Sequence, residues 1–166
     1  MLRKRQPSRR VSSDESGDPA AALAAAGSLL ARRDYCSSEL AARLVSRGFA
    51  PDTVQATLAD LHARHYLDDA RYSRQFVDTH ARRGHGPVLI RHELGERGLS
   101  PQLAEQSLAD FGDWSALARE VRARRFGAQP PRSRSDKTRQ ARFLQYRGFS
   151  DDDIRGALGF DVTSDC

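Results

Sequence analysis

Nine basic side chains are concentrated between residues 119 and 142, where only Glu120 and Asp136 carry negative charge. Arginine dominates this segment, and its planar guanidinium donates a fork of hydrogen bonds that fits phosphate oxygens. Such a concentration of charge is typical of a surface that binds nucleic acid or another polyanion. The candidate contact residues are Arg119, Arg122, Arg124, Arg125, Arg132, Arg134, Lys137, Arg139 and Arg142.

Two aromatic residues accompany this basic segment. The rings of Phe126 and Tyr146 could stack on bases, as aromatic side chains do in proteins that bind single strands. Because large aromatic side chains contribute strongly to cores, we expect both in the core instead. The alternative interpretation of the basic segment is a solvated helical face followed by a loop.

The five histidines do not form an evident ligand set. His62 and His65 are three residues apart, a helical spacing that can hold a metal ion, but no nearby carboxylate or cysteine completes the set. We therefore expect surface or boundary positions for this pair, and similarly scattered positions for His80, His85 and His92. The sequence predicts no metal site and no cofactor.

Adjacent carboxylates at Asp68 and Asp69 could in principle exchange protons with a substrate. Capping of the following helix and ion pairing with Arg71 or Arg74 are the expected roles. The sequence contains neither a nucleophile elbow nor a phosphate-binding glycine loop. We predict no catalytic residue and no enzymatic activity.

The composition is that of a basic chain without disulfide or membrane signals. In 166 residues there are 27 Lys+Arg against 22 Asp+Glu, and 25 of the 27 are arginine. Cys36 and Cys166 are too few for a disulfide scaffold. No apolar run approaches the roughly 18 residues of a membrane span, and no apolar segment follows the basic N-terminus as in a secretory signal. These features favour a cytoplasmic protein.

The elements that carry these residues repeat with a period of 50. Arg47-Gly48-Phe49 returns as Arg97-Gly98-Leu99 and as Arg147-Gly148-Phe149, each preceded by a leucine at 44, 94 and 144. A glycine just after a helix can adopt positive φ, and the apolar residues on either side then meet in a Schellman motif. Ser100 and Ser150 are suited to cap the next helix, whereas Ala50 is not. Each copy therefore predicts a helix, a glycine turn and a second helix.

Helical periodicity places nine short helices in three units, each too small to be stable alone. We predict an all-α protein of three tandem three-helix repeats that form an elongated, curved array. The units span 20–67, 68–110 and 111–160, between a disordered tail of residues 1–19 and a C-terminal tail of 161–166. The turn around Pro130-Pro131 is longer in the third unit than in the others.

Several motifs resemble the bacterial RecX family in their order and spacing. They are Tyr66-Leu67-Asp68-Asp69-Ala70-Arg71-Tyr72, Phe76-Val77, Gly84-His85-Gly86-Pro87 and Arg147-Gly148-Phe149-Ser150. The similarity covers about residues 20–160. It implies an all-helical regulator that binds the protein RecA and its filament on DNA.

From this resemblance we expect inhibition of RecA in recombination, DNA repair and the SOS response. The expected partners are RecA, the RecA–DNA filament, and single- and double-stranded DNA contacted through phosphates. We expect the protein itself to be a monomer. Two alternatives remain open. One is a stand-alone DNA-binding protein without sequence preference, and the other is a helical scaffold that does not bind polyanions.

Overall fold

The computed structural model describes residues 16–159, and all regular secondary structure in this range is α-helical. The expectations for residues 1–15 and 160–166 lie outside the described part of the chain. The helices are α1 (Pro19–Leu30), α2 (Ser37–Ser46), α3 (Pro51–Ala63), α4 (Asp69–Arg82), α5 (Pro87–Glu96), α6 (Pro101–Phe111), α7 (Trp114–Phe126), α8 (Arg134–Tyr146) and α9 (Asp151–Leu158). The all-α prediction is confirmed.

The three glycine turns end their helices in the predicted way. Residues 48, 98 and 148 have φ of 104°, 77° and 82°. In each turn the residue after glycine donates its N–H to the leucine carbonyl five positions earlier, at 3.2–3.3 Å. The glycine N–H donates to the carbonyl three positions earlier, at 2.8–2.9 Å. The leucines and the residues after the glycines are buried. These are the two hydrogen bonds and the apolar contact of the Schellman motif.

The helix that follows each turn begins with the cap that its sequence predicts. Ser100 accepts from the Leu103 N–H, and Ser150 forms a capping box with Asp153. Ala50 provides no side-chain cap to α3. Asp68 accepts from the Arg71 N–H at 2.9 Å, which fixes the start of α4 as expected for one of the paired carboxylates.

The chain divides into two compact units, one ending at Tyr72 and the other beginning at Ser73. In the first, α1, α2 and α3 pack against one another around Leu40, Leu44 and Leu61. The apolar face of α1 is buried through Ala22, Ala26 and Leu29. Leu23 and Leu30 are only half-buried and pack against the edge of this core.

The second unit contains the basic segment. Helix α5 packs on α6, and α7, α8 and α9 pack on one another around Ala118, Leu144 and Phe149. The α7–α9 contact is reinforced by the Ser115 hydroxyl, which donates to Asp153 at 3.0 Å. This three-helix packing holds α7 and α8 side by side.

Two glycines let the second and third repeats approach each other within this unit. The Gly86 N–H donates to the Arg147 carbonyl at 2.7 Å, and the Val88 N–H donates to the Gly148 carbonyl at 2.9 Å. A Cβ at Gly86 would lie 2.4 Å from the backbone of Gly148 and Phe149. Only glycine fits so close a backbone contact.

Candidate nucleic-acid interface

The basic segment extends over α7, the following loop and α8. Asp113 begins α7 by accepting from the Ala116 N–H at 2.8 Å, and Ser133 begins α8 by accepting from the Asp136 N–H at 3.0 Å. Eight of the nine predicted contact residues are exposed or partly exposed here: Arg119, Arg124, Arg125, Arg132, Arg134, Lys137, Arg139 and Arg142.

Arg122 is the exception, because it is 6% exposed. Its guanidinium donates to the carbonyl oxygens of Ala128 at 3.1 Å and Gln129 at 3.0 Å, and to the Gln140 side chain at 3.3 Å. Arg122 therefore holds the longer loop against α8 and is too buried to contact a phosphate, in contrast to the expectation from sequence. Sequence could not separate it from its neighbours, since Arg122, Arg124 and Arg125 differ only in helical phase.

Three of the exposed arginines are close to carboxylates. Arg124 pairs with Glu120, Arg139 pairs with Asp136 at 2.9 Å, and Arg119 lies 3.8 Å from Asp113. Exposed ion pairs of this kind contribute little free energy. These weak pairs therefore do not commit the arginine side chains to their carboxylate partners.

A cleft of about 810 Å³ lies between the end of α7 and one face of α8. Its α8 wall consists of residues at helical spacing, three or four positions apart, which share one face. Four arginines and three aromatic side chains contribute to the lining, together with two hydroxyls. The lining residues are Arg125, Phe126, Arg134, Ser135, Thr138, Arg139, Arg142, Phe143 and Tyr146.

The aromatic residues of this cleft differ in their burial. Phe126 is half-buried and meets Phe143 edge-on, with ring centroids 5.2 Å apart. Tyr146 is 88% exposed, so its expected core position is wrong. Leu144, in the last turn of α8, is buried. Tyr146 follows two residues later and therefore lies on the opposite side of this helix. Arg125 and Arg139 lie 5.7 and 5.6 Å from the Phe126 ring centroid.

Basic side chains also line two neighbouring clefts. Arg132, Arg134 and Lys137 line a neighbouring cleft of about 450 Å³. Arg124 and Arg125 share a smaller one, of about 160 Å³, with Arg83 and Arg147, which the sequence analysis did not assign to this surface. Sequence separation concealed Arg83, which lies in the second repeat, whereas Arg147 follows Arg142 by only five residues and was assigned to the glycine turn.

The repeated arginine of the glycine turn has a structural role in all three copies. Its guanidinium donates to a backbone carbonyl at 3.0–3.4 Å in each repeat. The donor and acceptor residues are Arg47 and Ala25, Arg97 and Glu93, and Arg147 and Arg83. Glu93 lies in the last turn of α5 and Arg83 directly follows α4, where helix ends leave carbonyls free, whereas Ala25 lies inside α1.

The histidines do not all lie where the sequence placed them. His62 has its Nε2 2.8 Å from the Ser37 hydroxyl, in an exposed position as expected. His80 and His85 are not scattered, since their ring centroids are 5.5 Å apart and Glu93 lies beside them. Among residues 16–159, no helix combines the length and apolar character needed to cross a membrane.

Comparison with known protein families gives a match for each repeat. Residues 22–61, 68–108 and 113–158 match the first, second and third three-helix domains of RecX. The chain belongs to the RecX family. Each matched range lies inside one of the three units proposed from the 50-residue period, and the three-helix repeats are confirmed.

Relatives named regulatory protein RecX match most of the chain. The protein from Halorhodospira halophila is 45% identical over 130 residues, which cover 78% of this chain and 81% of the relative. The one from Xanthomonas oryzae is 39% identical over 135 residues, covering 81% and 83%. Over most of its length the chain is therefore similar to proteins named as regulators.

Solved structures of RecX share the fold. The crystal structure of RecX from Lactobacillus salivarius superposes with a TM-score of 0.77 at 21% identity, covering 86% of this chain and 95% of the other. A second RecX crystal structure gives a TM-score of 0.71, with coverage of 86% and 72%. At this identity the likeness concerns the fold alone.

Proposed function

We propose that this RecX protein binds RecA and the RecA–DNA filament and restrains RecA in recombination, DNA repair and the SOS response. Membership of the family supports this proposal, because all three repeats match and the relatives carry the name of a regulator. Such a protein would act as a monomer and work beside the chromosome in the cytoplasm.

The arginine-lined cleft of the third repeat is the observation that carries the DNA contact. Arg125, Arg134, Arg139 and Arg142 surround one concavity of about 810 Å³. Guanidinium groups bind phosphate oxygens in pairs of hydrogen bonds, and phosphate contacts fix position without reading bases. We infer that the cleft and its basic margins follow a DNA backbone.

Tyr146 favours a single strand in this cleft. Its ring is 88% exposed beside the arginines, whereas bases in a duplex are already stacked on one another. Exposed aromatic rings in basic grooves stack on unpaired bases without sequence preference. The single-stranded DNA within a RecA filament supplies both phosphates and bases.

This activity requires binding alone and no catalysis. Several small repeats on one chain allow modest contacts to RecA and to DNA to be made together, and linked contacts strengthen one another through a high effective concentration. The proposal therefore needs no cofactor and no catalytic residue, and the protein would not be an enzyme.

The experiment compares two triple variants with the same loss of charge. One replaces Arg134, Arg139 and Arg142 of the cleft with glutamine. The other replaces Arg71, Arg74 and Arg82 of α4, which are also exposed. We would measure binding to unrelated single-stranded sequences at several salt concentrations, and RecA ATPase activity on single-stranded DNA.

We expect the unmodified protein and the α4 variant to bind DNA alike and to inhibit the ATPase. The cleft variant should bind all sequences more weakly, with a log–log salt slope flatter by about two, since each single-strand phosphate contributes about 0.7. A folded cleft variant with unchanged affinity and slope would place the DNA contact elsewhere. DNA binding with no effect on the RecA ATPase would favour a stand-alone DNA-binding protein.

A further inference from the structure

Two histidines and a glutamate converge in the second unit, close to Arg83 and Arg147 at the margin of the basic surface. His80 lies near the end of α4, His85 in the turn that follows, and Glu93 on α5. One potential ligand atom from each lies within 4.8 Å of the others. The closest pair is His80 Nε2 and Glu93 Oε2, 3.2 Å apart.

The hydrogen bonding of His80 defines what its second nitrogen can do. His80 Nδ1 lies 2.9 Å from the Phe76 carbonyl oxygen, and a carbonyl only accepts, so Nδ1 carries the proton. In the neutral ring Nε2 then presents a lone pair to the Glu93 carboxylate, which is also an acceptor. Two acceptors at this distance need a cation between them, either a second proton on the ring or a metal ion.

His85 contributes a second imidazole whose polar atoms are not fully satisfied. Its Nδ1 is buried and has no hydrogen-bond partner among the described residues. Buried polar atoms usually have a partner, so an unpaired one needs an explanation.

The distance between His80 and Glu93 suits tetrahedral coordination. Two ligands about 2.0–2.1 Å from a zinc ion are separated by about 3.3 Å at the tetrahedral angle, close to the His80–Glu93 distance. The side chains of His80 and Glu93 are 14% and 29% exposed, so water can reach the remaining position. The Phe76 carbonyl orients His80 in the way that outer hydrogen bonds orient metal-binding histidines.

We propose that His80, His85 and Glu93 bind a divalent transition-metal ion of the zinc type, with water as the fourth ligand. Imidazole nitrogen and carboxylate oxygen are ligands that zinc accepts. This proposal does not depend on binding to RecA or to DNA.

The position of the site gives it a structural consequence. The turn that carries His85 also contains Arg83 and Gly86, which bond to Arg147 of the third repeat. A metal ion that fixes His85 would stabilise this junction between repeats. The positive charges of Arg83 and Arg147 disfavour a bound cation at this place, whereas the negative charge of the Glu93 carboxylate favours it.

The test uses the full chain without a polyhistidine tag. Calorimetric titration with Zn²⁺ gives stoichiometry and affinity, a thermal melt gives the stabilisation, and the visible spectrum of Co²⁺ reports the coordination geometry. The ligand variants are His80→Gln, His85→Gln and Glu93→Gln. The matched controls are His92→Gln, an exposed histidine next to Glu93, and Cys166→Ser.

We expect one ion per chain, a higher melting temperature with metal and a tetrahedral Co²⁺ spectrum. Each ligand variant should lose more than about tenfold in affinity, since even supporting residues of metal sites cost about 10–100-fold. Both controls should bind normally. Melts without metal verify folding, and three separate ligand variants keep the test valid if one fails to fold. No stoichiometric binding, or binding unchanged in folded ligand variants, would overturn the proposal.

Discussion

Arg122 and Arg124 are two residues apart on α7 and have different environments. Arg122 is 6% exposed and donates to two loop carbonyls and to Gln140. The Arg124 side chain is 62% exposed, with one ion pair to Glu120. The first arginine stabilises the loop, whereas the second is available to an external anion.

Replacing each with alanine should separate these roles. We expect Arg122→Ala to lower the free energy of unfolding by roughly 2 kcal/mol, because several buried hydrogen bonds are lost together. Arg124→Ala should change stability by less than about 0.5 kcal/mol, since exposed pairs contribute little. Chemical denaturation of both variants provides the measurement. Equal stability of the two would contradict the buried role of Arg122.

Among the elements, the contact between the α4–α5 turn and the α8–α9 turn depends on Gly86. Its φ of −90° is available to any residue, so a substitution there tests space and not backbone conformation. An added Cβ would lie 2.4 Å from the Gly148 carbonyl group and the Phe149 nitrogen. Backbone atoms at this junction cannot move aside as a flexible side chain would.

We predict that Gly86→Ala lowers the free energy of unfolding by about 2 kcal/mol or more, as overpacking does. Gly95→Ala is the control, because Gly95 is in α5 with nothing within 4 Å of an added Cβ. Alanine is the better helix former, and this change should raise stability by up to about 1 kcal/mol. Thermal melts of the two variants measure the contrast. A harmless Gly86→Ala would show that the two turns are not in close contact.

Local chemistry explains why the elements could be predicted and some site residues could not. Glycine turns and serine caps depend on a few neighbouring residues, so the repeat at Gly48, Gly98 and Gly148 predicts the helix ends closely. The burial of Arg122 and the exposure of Tyr146 depend on how α7, α8 and the loop pack, which one sequence does not reveal. His80, His85 and Glu93 come together only because the α4–α5 turn reverses the chain.

At the scale of the whole molecule, the 50-residue period predicts the three-helix repeats, which both the helix order and the family matches confirm. The elongated, curved array stays a prediction. Charge is distributed unevenly among the repeats, with the basic cleft in the third. The proposed DNA contact therefore belongs to the third repeat alone.

RecA filament extension on single-stranded DNA, measured across a titration of this protein, tests the central proposal most directly. If the protein blocks growth at filament ends or gaps, far fewer copies than RecA subunits should stop extension. The Arg71, Arg74 and Arg82 variant should do the same, whereas the cleft variant should require more protein. Undisturbed extension, or inhibition only at one copy or more per RecA subunit, would contradict this account.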